Sequence, residues 1–149
     1  MVLDPNCVRD VLLWLETSLD IDGDYAFKPV YLQNLYDAMP NYSQQNIYYG
    51  VYNLFQIRHI EGKLQYLPNG ELKQCEIQNI TWSGHQFLNH IRPKTIWDAT
   101  KEYASQLGLN SIFALETIAF EIVKETVTQK SVIAKITSKI LDIKKGSVL

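Results

Sequence analysis

The chain has 149 residues, 46% of them hydrophobic, with 14 basic and 16 acidic side chains and a formal net charge of −2. That length and composition suit one domain, or one domain with an appended helical segment, and argue against disorder as the main state. The charge is unevenly spread: residues 1–80 carry ten acids and five bases, residues 81–149 nine bases and six acids, the reverse of a front-loaded nucleic-acid binder.

Two cysteines, Cys7 and Cys75, stand far apart with no partners at metal-ligand spacing, which predicts small buried apolar residues in a reducing compartment. The opening Met1-Val2-Leu3-Asp4-Pro5 has no basic stretch before an apolar run, so no secretory leader is expected. No window approaches the ~18 uninterrupted apolar residues of a membrane span. A soluble, cytoplasmic protein is the expectation.

In chain order, Asp4 and Pro5 open a first helix whose stripe is Val8, Val11, Leu12, Leu15 and Leu19. Asp20-Ile21-Asp22-Gly23-Asp24 breaks it. This run lacks the full ligand set and closing Glu of a calcium loop and reads as a solvated turn. Tyr25-Ala26-Phe27 suits a short strand, and Pro29 is expected to start a second helix buried through Leu32, Leu35, Tyr36 and Met39. Ser43 caps a third helix running to about His59 and closed by Gly62. Leu64–Leu67 and Leu72–Ile80 flank Pro68-Asn69-Gly70-Glu71, a hairpin signal. Three helices and a hairpin are the winged helix-turn-helix order. Ser83-Gly84-His85-Gln86 reads as a capping box for a helix burying Phe87, Leu88 and Ile91, which Pro93 stops. Another helix opens near Thr95, buried through Ile96, Thr100, Ala104 and Leu107. A longer one starts near Ser111 with Ile112, Leu115, Ile118, Ala119, Ile122 and Val123 on one face. The segment from Ser131 to Lys145 alternates lysines with Val132, Ile133, Ile136, Ile140 and Leu141. The predicted fold is mainly α with a small β-hairpin: a winged-helix domain over residues 3–92 and a helical C-terminal region over 93–149.

Asp4-Pro5-Asn6-Cys7-Val8-Arg9-Asp10-Val11-Leu12-Leu13, Pro40-Asn41-Tyr42-Ser43 and Ile80-Thr81-Trp82-Ser83-Gly84-His85-Gln86-Phe87-Leu88 resemble a family of phages, prophages and Gram-positive bacteria known as domain of unknown function 2513. Ile91-Arg92 and Trp97-Asp98-Ala99-Thr100-Lys101 continue the resemblance, which covers roughly residues 3–108. It implies a winged-helix-like fold and a mobile-element context, and no assigned activity. Where such proteins often carry charge after the Ser that starts the third helix, this chain has Gln44, Gln45 and Asn46.

At 100° per residue, Ile47, Val51, Leu54 and Phe55 of the third helix point to the core. Gln45, Tyr49, Tyr52, Asn53 and Gln56 point away, with Tyr48 on the flank and no charge before Arg58. Gln and Asn can read adenine edges. Duplex affinity, however, comes mostly from neutralised phosphates, and exposed tyrosines without lysine suit protein surfaces. The leading expectation is therefore a face that binds a host or phage protein. The alternative is a dimeric DNA-binding regulator with Gln45, Tyr49 and Asn53 on bases and Lys63 and Lys73 on phosphates.

No Ser–His–Asp or Cys–His arrangement, phosphate loop or zinc motif can be assembled from the spacing, so no catalytic residue, cofactor or metal is expected. His59 and His90 have no carboxylate partner evident in the sequence, and His85 reads as a hydrogen-bonding or packing residue. Tyr25, Tyr42, Trp82 and Trp97 are expected to anchor the core, and Trp14, off the main stripe, to pack on the tail or in an interface. For the tail, a homodimer through residues 111–145 is expected, using the Ile112–Val123 face and the Val132–Leu141 stretch. Docking back onto the acidic front comes next. Binding a membrane or nucleic acid comes last, since no bulky aromatic lies on that segment.

Overall fold

The computed structural model describes residues 1–148, apart from the side chains of residues 131–133, 147 and 148. Helix α1 (Pro5–Ser18) begins where Asp4 Oδ1 accepts the Cys7 amide at 3.2 Å, and it buries Cys7, Val8, Val11, Leu12 and Leu15. Two short antiparallel strands follow, β1 (Asp20–Ile21) and β2 (Phe27–Lys28). The Asp22 carboxylate accepts the Asp24 and Ala26 amides at 2.8 and 3.0 Å, so it is spent on the backbone of the turn. Tyr25 lies in that turn at φ +63° and is 90% exposed, not a core anchor.

Strand β3 (Val30–Tyr31) runs directly into α2 (Leu32–Ala38). The second helix thus begins later than Pro29 suggested, because Val30 and Tyr31 pair across to Ile77 and Glu76. Helix α3 (Gln44–Gln56) is capped by Ser43, whose hydroxyl accepts the Asn46 amide at 3.1 Å. It buries Ile47, Gly50, Val51 and Leu54, and it closes before Arg58, which adopts φ +59°. His59 and Gly62 therefore lie beyond it. Strands β4 (Ile60–Tyr66) and β5 (Leu72–Ile80) form the hairpin, and the sheet order is β3-β5-β4, all antiparallel. Gly62 sits at a register shift in β4, where an added Cβ would stand 2.0 Å from the Glu76 carbonyl oxygen. Its missing side chain is what lets the two strands close at that bulge.

Three helices complete the chain: α4 (Trp82–Ile91), α5 (Lys94–Gln106) and α6 (Ile112–Val148). Thr81, not Ser83, caps α4, accepting the Gly84 amide on its hydroxyl at 3.1 Å. Trp82 is 76% exposed, against expectation: it lies about 140° around the helix from Phe87, off the buried stripe. Trp97 does anchor the core, and its indole N–H donates to Asn6 at 3.0 Å. Tyr42 is half-buried and donates to Asp10 at 2.6 Å, while Trp14 is half-buried against the core. Leu107 is exposed because α5 meets the core only as far as Ala104.

One core runs from Leu3 to Ala119, passing the expected border at residues 92 and 93 without a break. The Arg9 guanidinium ties α1 to the end of α4 by donating to the carbonyls of Ile91 and Arg92 at 3.0 and 2.7 Å, and Arg92 pairs with Glu16. Cys7 and Cys75 are buried free thiols. Burial, with Asp4 and Asp10 nearby, pushes the Cys7 thiol up to about 12.

Helix α6 is one continuous element of 37 residues. Its Ile112–Val123 face, expected to pair two copies, is instead covered within one chain. Ile112, Leu115 and Ala119 are buried, and Ile118, Ile122 and Val123 are half-buried, because α6 lies along α4 and α5. Past that contact Ile136, Ile140, Leu141 and Ile143 are exposed, while the side chains of Val132 and Ile133 lie outside the described residues. Among the described residues no helix is long and apolar enough to cross a membrane.

Candidate partner-binding face

Helix α3 and the hairpin enclose the face that the sequence singles out. Gln45 and Gln56 are exposed, whereas Tyr48, Tyr49, Tyr52 and Asn53 are half-buried. Tyr48 and Tyr49 also pack against the core, so the face is shallower in free aromatic surface than a helical wheel suggests. The Tyr49 and Tyr52 rings stack with centroids 6.5 Å apart and planes 9° from parallel. Tyr48 lies 6.3 Å from Tyr52 in a tilted arrangement. The Asn53 amide donates to the Tyr49 carbonyl at 2.7 Å, which turns part of its hydrogen-bonding capacity back onto the helix.

Tyr48 and Tyr66 bring their hydroxyls to 2.5 Å and so bridge α3 to β4. Burial first, and then this hydrogen bond, raise the Tyr48 hydroxyl well above its usual value, so it stays protonated at neutral pH. Beside the bridge lies an open groove of about 330 Å³ lined by Tyr36, Gln44, Gln45, Tyr48, Tyr66 and Leu72. The groove's walls are tyrosine rings, glutamine amides and Leu72, with no charged side chain. Tyr36, Gln44, Tyr66 and Leu72 were not among the sequence-picked residues. The hairpin signal held the clue, since strands flanking Asn69-Gly70 set Tyr66 opposite Leu72.

The two candidate phosphate contacts stand in mixed company. Lys63 faces Glu76 across the ladder, with Glu61 also on β4, and Lys73 follows Glu71 by two residues. Cross-strand acids offset such cations, so the hairpin presents no continuous basic edge.

In the most recognisable motif, Thr81 to Leu88, Trp82, His85 and Gln86 are exposed and the rest is occupied with packing. Phe87 and Leu88 are fully buried, and a Cβ on Gly84 would stand 2.0 Å from the His59 carbonyl oxygen. The Thr81 hydroxyl donates to the Arg58 carbonyl at 2.7 Å and the Thr81 amide to the His59 carbonyl at 3.0 Å. The start of α4 is thereby sewn to the turn after α3.

Within this seam the structure corrects the reading of His59 as lacking a carboxylate. Its Nε2 lies 3.1 Å from Glu116 on α6, off the line of a well-formed hydrogen bond, and its Nδ1 lies 3.1 Å from Ser83 Oγ. Burial lowers the His59 pKa below 6.5, against the upward pull of Glu116, so the ring is neutral at pH 7. A serine, a histidine and a glutamate in contact invite a hydrolase reading. The imidazole, however, is only 4% exposed and packs on Phe87 at 5.6 Å. Ser83 Oγ is also engaged by Thr81 at 3.1 Å. The cluster joins three elements and leaves no approach for a substrate at the ring. His90 lies 5.7 Å from Phe120, and His85 is exposed. Among the described residues no three His, Cys, Asp or Glu side chains gather as a metal-holding group.

The fold and this face define a mainly helical protein with small antiparallel sheets, a helical C-terminal region and an uncharged tyrosine groove. A family model described as "Hypothetical protein (DUF2513)" matches residues 2–110, and the chain belongs to that family. No curated protein matches the chain. No solved structure matches it.

Proposed function

We propose that this is a non-catalytic interaction protein of phage or prophage type, acting in the cytoplasm of a bacterial host. Its winged helix would bind a host or phage protein through the third helix and the adjoining hairpin. Past the small β1–β2 insert, the order of helix α1, strand β3, helices α2 and α3 and the β4–β5 hairpin, with β5 central between β3 and β4, supports the winged-helix reading. The observation that carries the binding reading is the groove itself: tyrosine hydroxyls and glutamine amides without a cation, beside the stacked Tyr49 and Tyr52. Tyrosine supplies wide contact area with a polar handle, the chemistry of protein-binding patches. The mechanism is occlusion or recruitment by surface complementarity.

The test is capture from bacterial lysate on the tagged protein, with and without nuclease. The expected result is a stoichiometric protein partner that survives nuclease and is lost from Tyr52→Ala. The melting temperature of that variant should stay within about 3 °C of the parent, as for a substitution outside the core. Recovery of DNA, with binding that weakens steeply as salt rises, would replace this reading with a dimeric regulator. Gln45 would then meet bases, and Lys63 and Lys73 phosphates.

A further inference from the structure

The end of α6 is a basic amphipathic helix with an exposed isoleucine stripe. Ile136, Ile140 and Ile143 fall within about 60° of one another around the axis, and all three are exposed. Residues 130–145 carry five lysines and the single acid Asp142. By helical position Lys135 and Lys139 follow one flank of the isoleucine stripe, and Lys130 and Lys144 the other. Laying two such helices side by side through their isoleucines would bring flanks of the same sign together, which is unfavourable. The stripe therefore fits an acidic apolar surface better than it fits itself.

The front of the molecule offers that surface. A cleft of about 160 Å³ opens between α1, the β1–β2 hairpin and β5, with apolar walls from Leu15, Leu19, Phe27 and Ile80 and a rim bearing Asp20 and Glu16, the latter already paired with Arg92. Asp22 and Asp24 follow in the same hairpin. The volume is close to that of a cavity able to hold benzene, enough to admit one isoleucine side chain. The walls remain partly open, with Phe27 47% exposed.

We propose that the basic end of α6, residues 134–146, seats in this cleft of a second copy of the chain, each copy giving its tail and receiving the other's. An isoleucine of the stripe fills the apolar floor while Lys135 and Lys139 meet the acidic rim. Three observations support a second copy as the occupant. The acidic front and basic tail are complementary halves of one chain. Within the single chain Ile136, Ile140 and Ile143 stay exposed. About 22 residues of helix past Thr126, some 33 Å at 1.5 Å each, give it the reach. A two-fold axis closes the exchange at two subunits.

The test uses full-length Asp20→Cys and Ile140→Cys variants, oxidised singly and as a mixture in about 50 mM salt, while light scattering reports the mass. The native thiols are buried and stay silent. The expected result is a doubled mass and a disulfide-linked pair formed in the mixture at least tenfold more than in either variant alone. In the wild-type background, Lys135→Glu with Lys139→Glu should return the chain to the single-copy mass, as should ~0.5 M salt, where screening is short-ranged. Self-linking by Ile140→Cys alone, as efficient as in the mixture, would establish tail-to-tail pairing and overturn the proposal. So would a single-copy mass at ~100 µM protein in low salt.

Discussion

Thr81–Leu88 and Gln44–Gln56 show opposite relations between the memorability of a sequence and its use. The first carries the most recognisable motif in the chain, yet apart from the exposed Trp82, His85 and Gln86 it is engaged by its neighbours: Thr81 caps, Gly84 admits the His59 carbonyl, and Phe87 and Leu88 fill the core. The second is a bland run of Gln, Asn and Tyr, yet it borders the open groove and carries the stacked rings. A close approach of backbones tolerates few residues and leaves a sharp signature. An adaptable polar surface tolerates many.

Substitutions in the two segments should separate on that basis. Phe87→Ala removes a fully buried ring and should cost about 3–5 kcal/mol in denaturant unfolding. A cost below 1 kcal/mol would mean that α4 does not anchor the core. Gly84→Ala adds one methyl group but drives it against the His59 carbonyl. Rearranging the α3–β4 turn should cost up to about 3 kcal/mol, and unchanged stability would show that the seam is loose.

The His59 seam should also respond to pH. Its folded pKa lies below the ordinary 6.5, so the unfolded chain binds the proton more readily. Stability should fall as pH drops from 6.5 through the folded value. His59→Gln should flatten that slope, and an unchanged slope would assign it to other groups. The smallest effect on stability belongs to the groove. Tyr48→Phe deletes the hydroxyl that reaches Tyr66 and should cost no more than about 1 kcal/mol, measured alongside capture of the partner. A larger loss would move Tyr48 from the binding face into the structural framework.

Where local chemistry alone decides, the sequence was legible. Asp4 and Ser43 cap the helices expected of them, and β5 spans Leu72–Ile80 as the hairpin pattern implied. Failures occurred where distant segments decide. Ser83 loses the capping role to Thr81 and instead meets His59, 24 positions earlier. Val30 and Tyr31 enter a sheet through partners near position 77, which moves the start of the second helix. Tyr25 and Trp82 read as core by composition, but a turn tip and the far side of a helix carry them outward. The groove was half legible: Gln45 and Tyr48 from the helical wheel, Tyr36 and Tyr66 only after the hairpin folds over.

The 37 residues of α6 also govern how the molecule moves through water. At 1.5 Å per residue the helix is about 55 Å long, about 1.6 times the diameter of a compact domain of 100 residues. Such a rod raises the friction of the whole particle, so the protein should diffuse and elute as though it were heavier than its 17.2 kDa. It also sweeps its basic tip through a far larger volume than a compact body of the same mass, which widens the target for a first encounter.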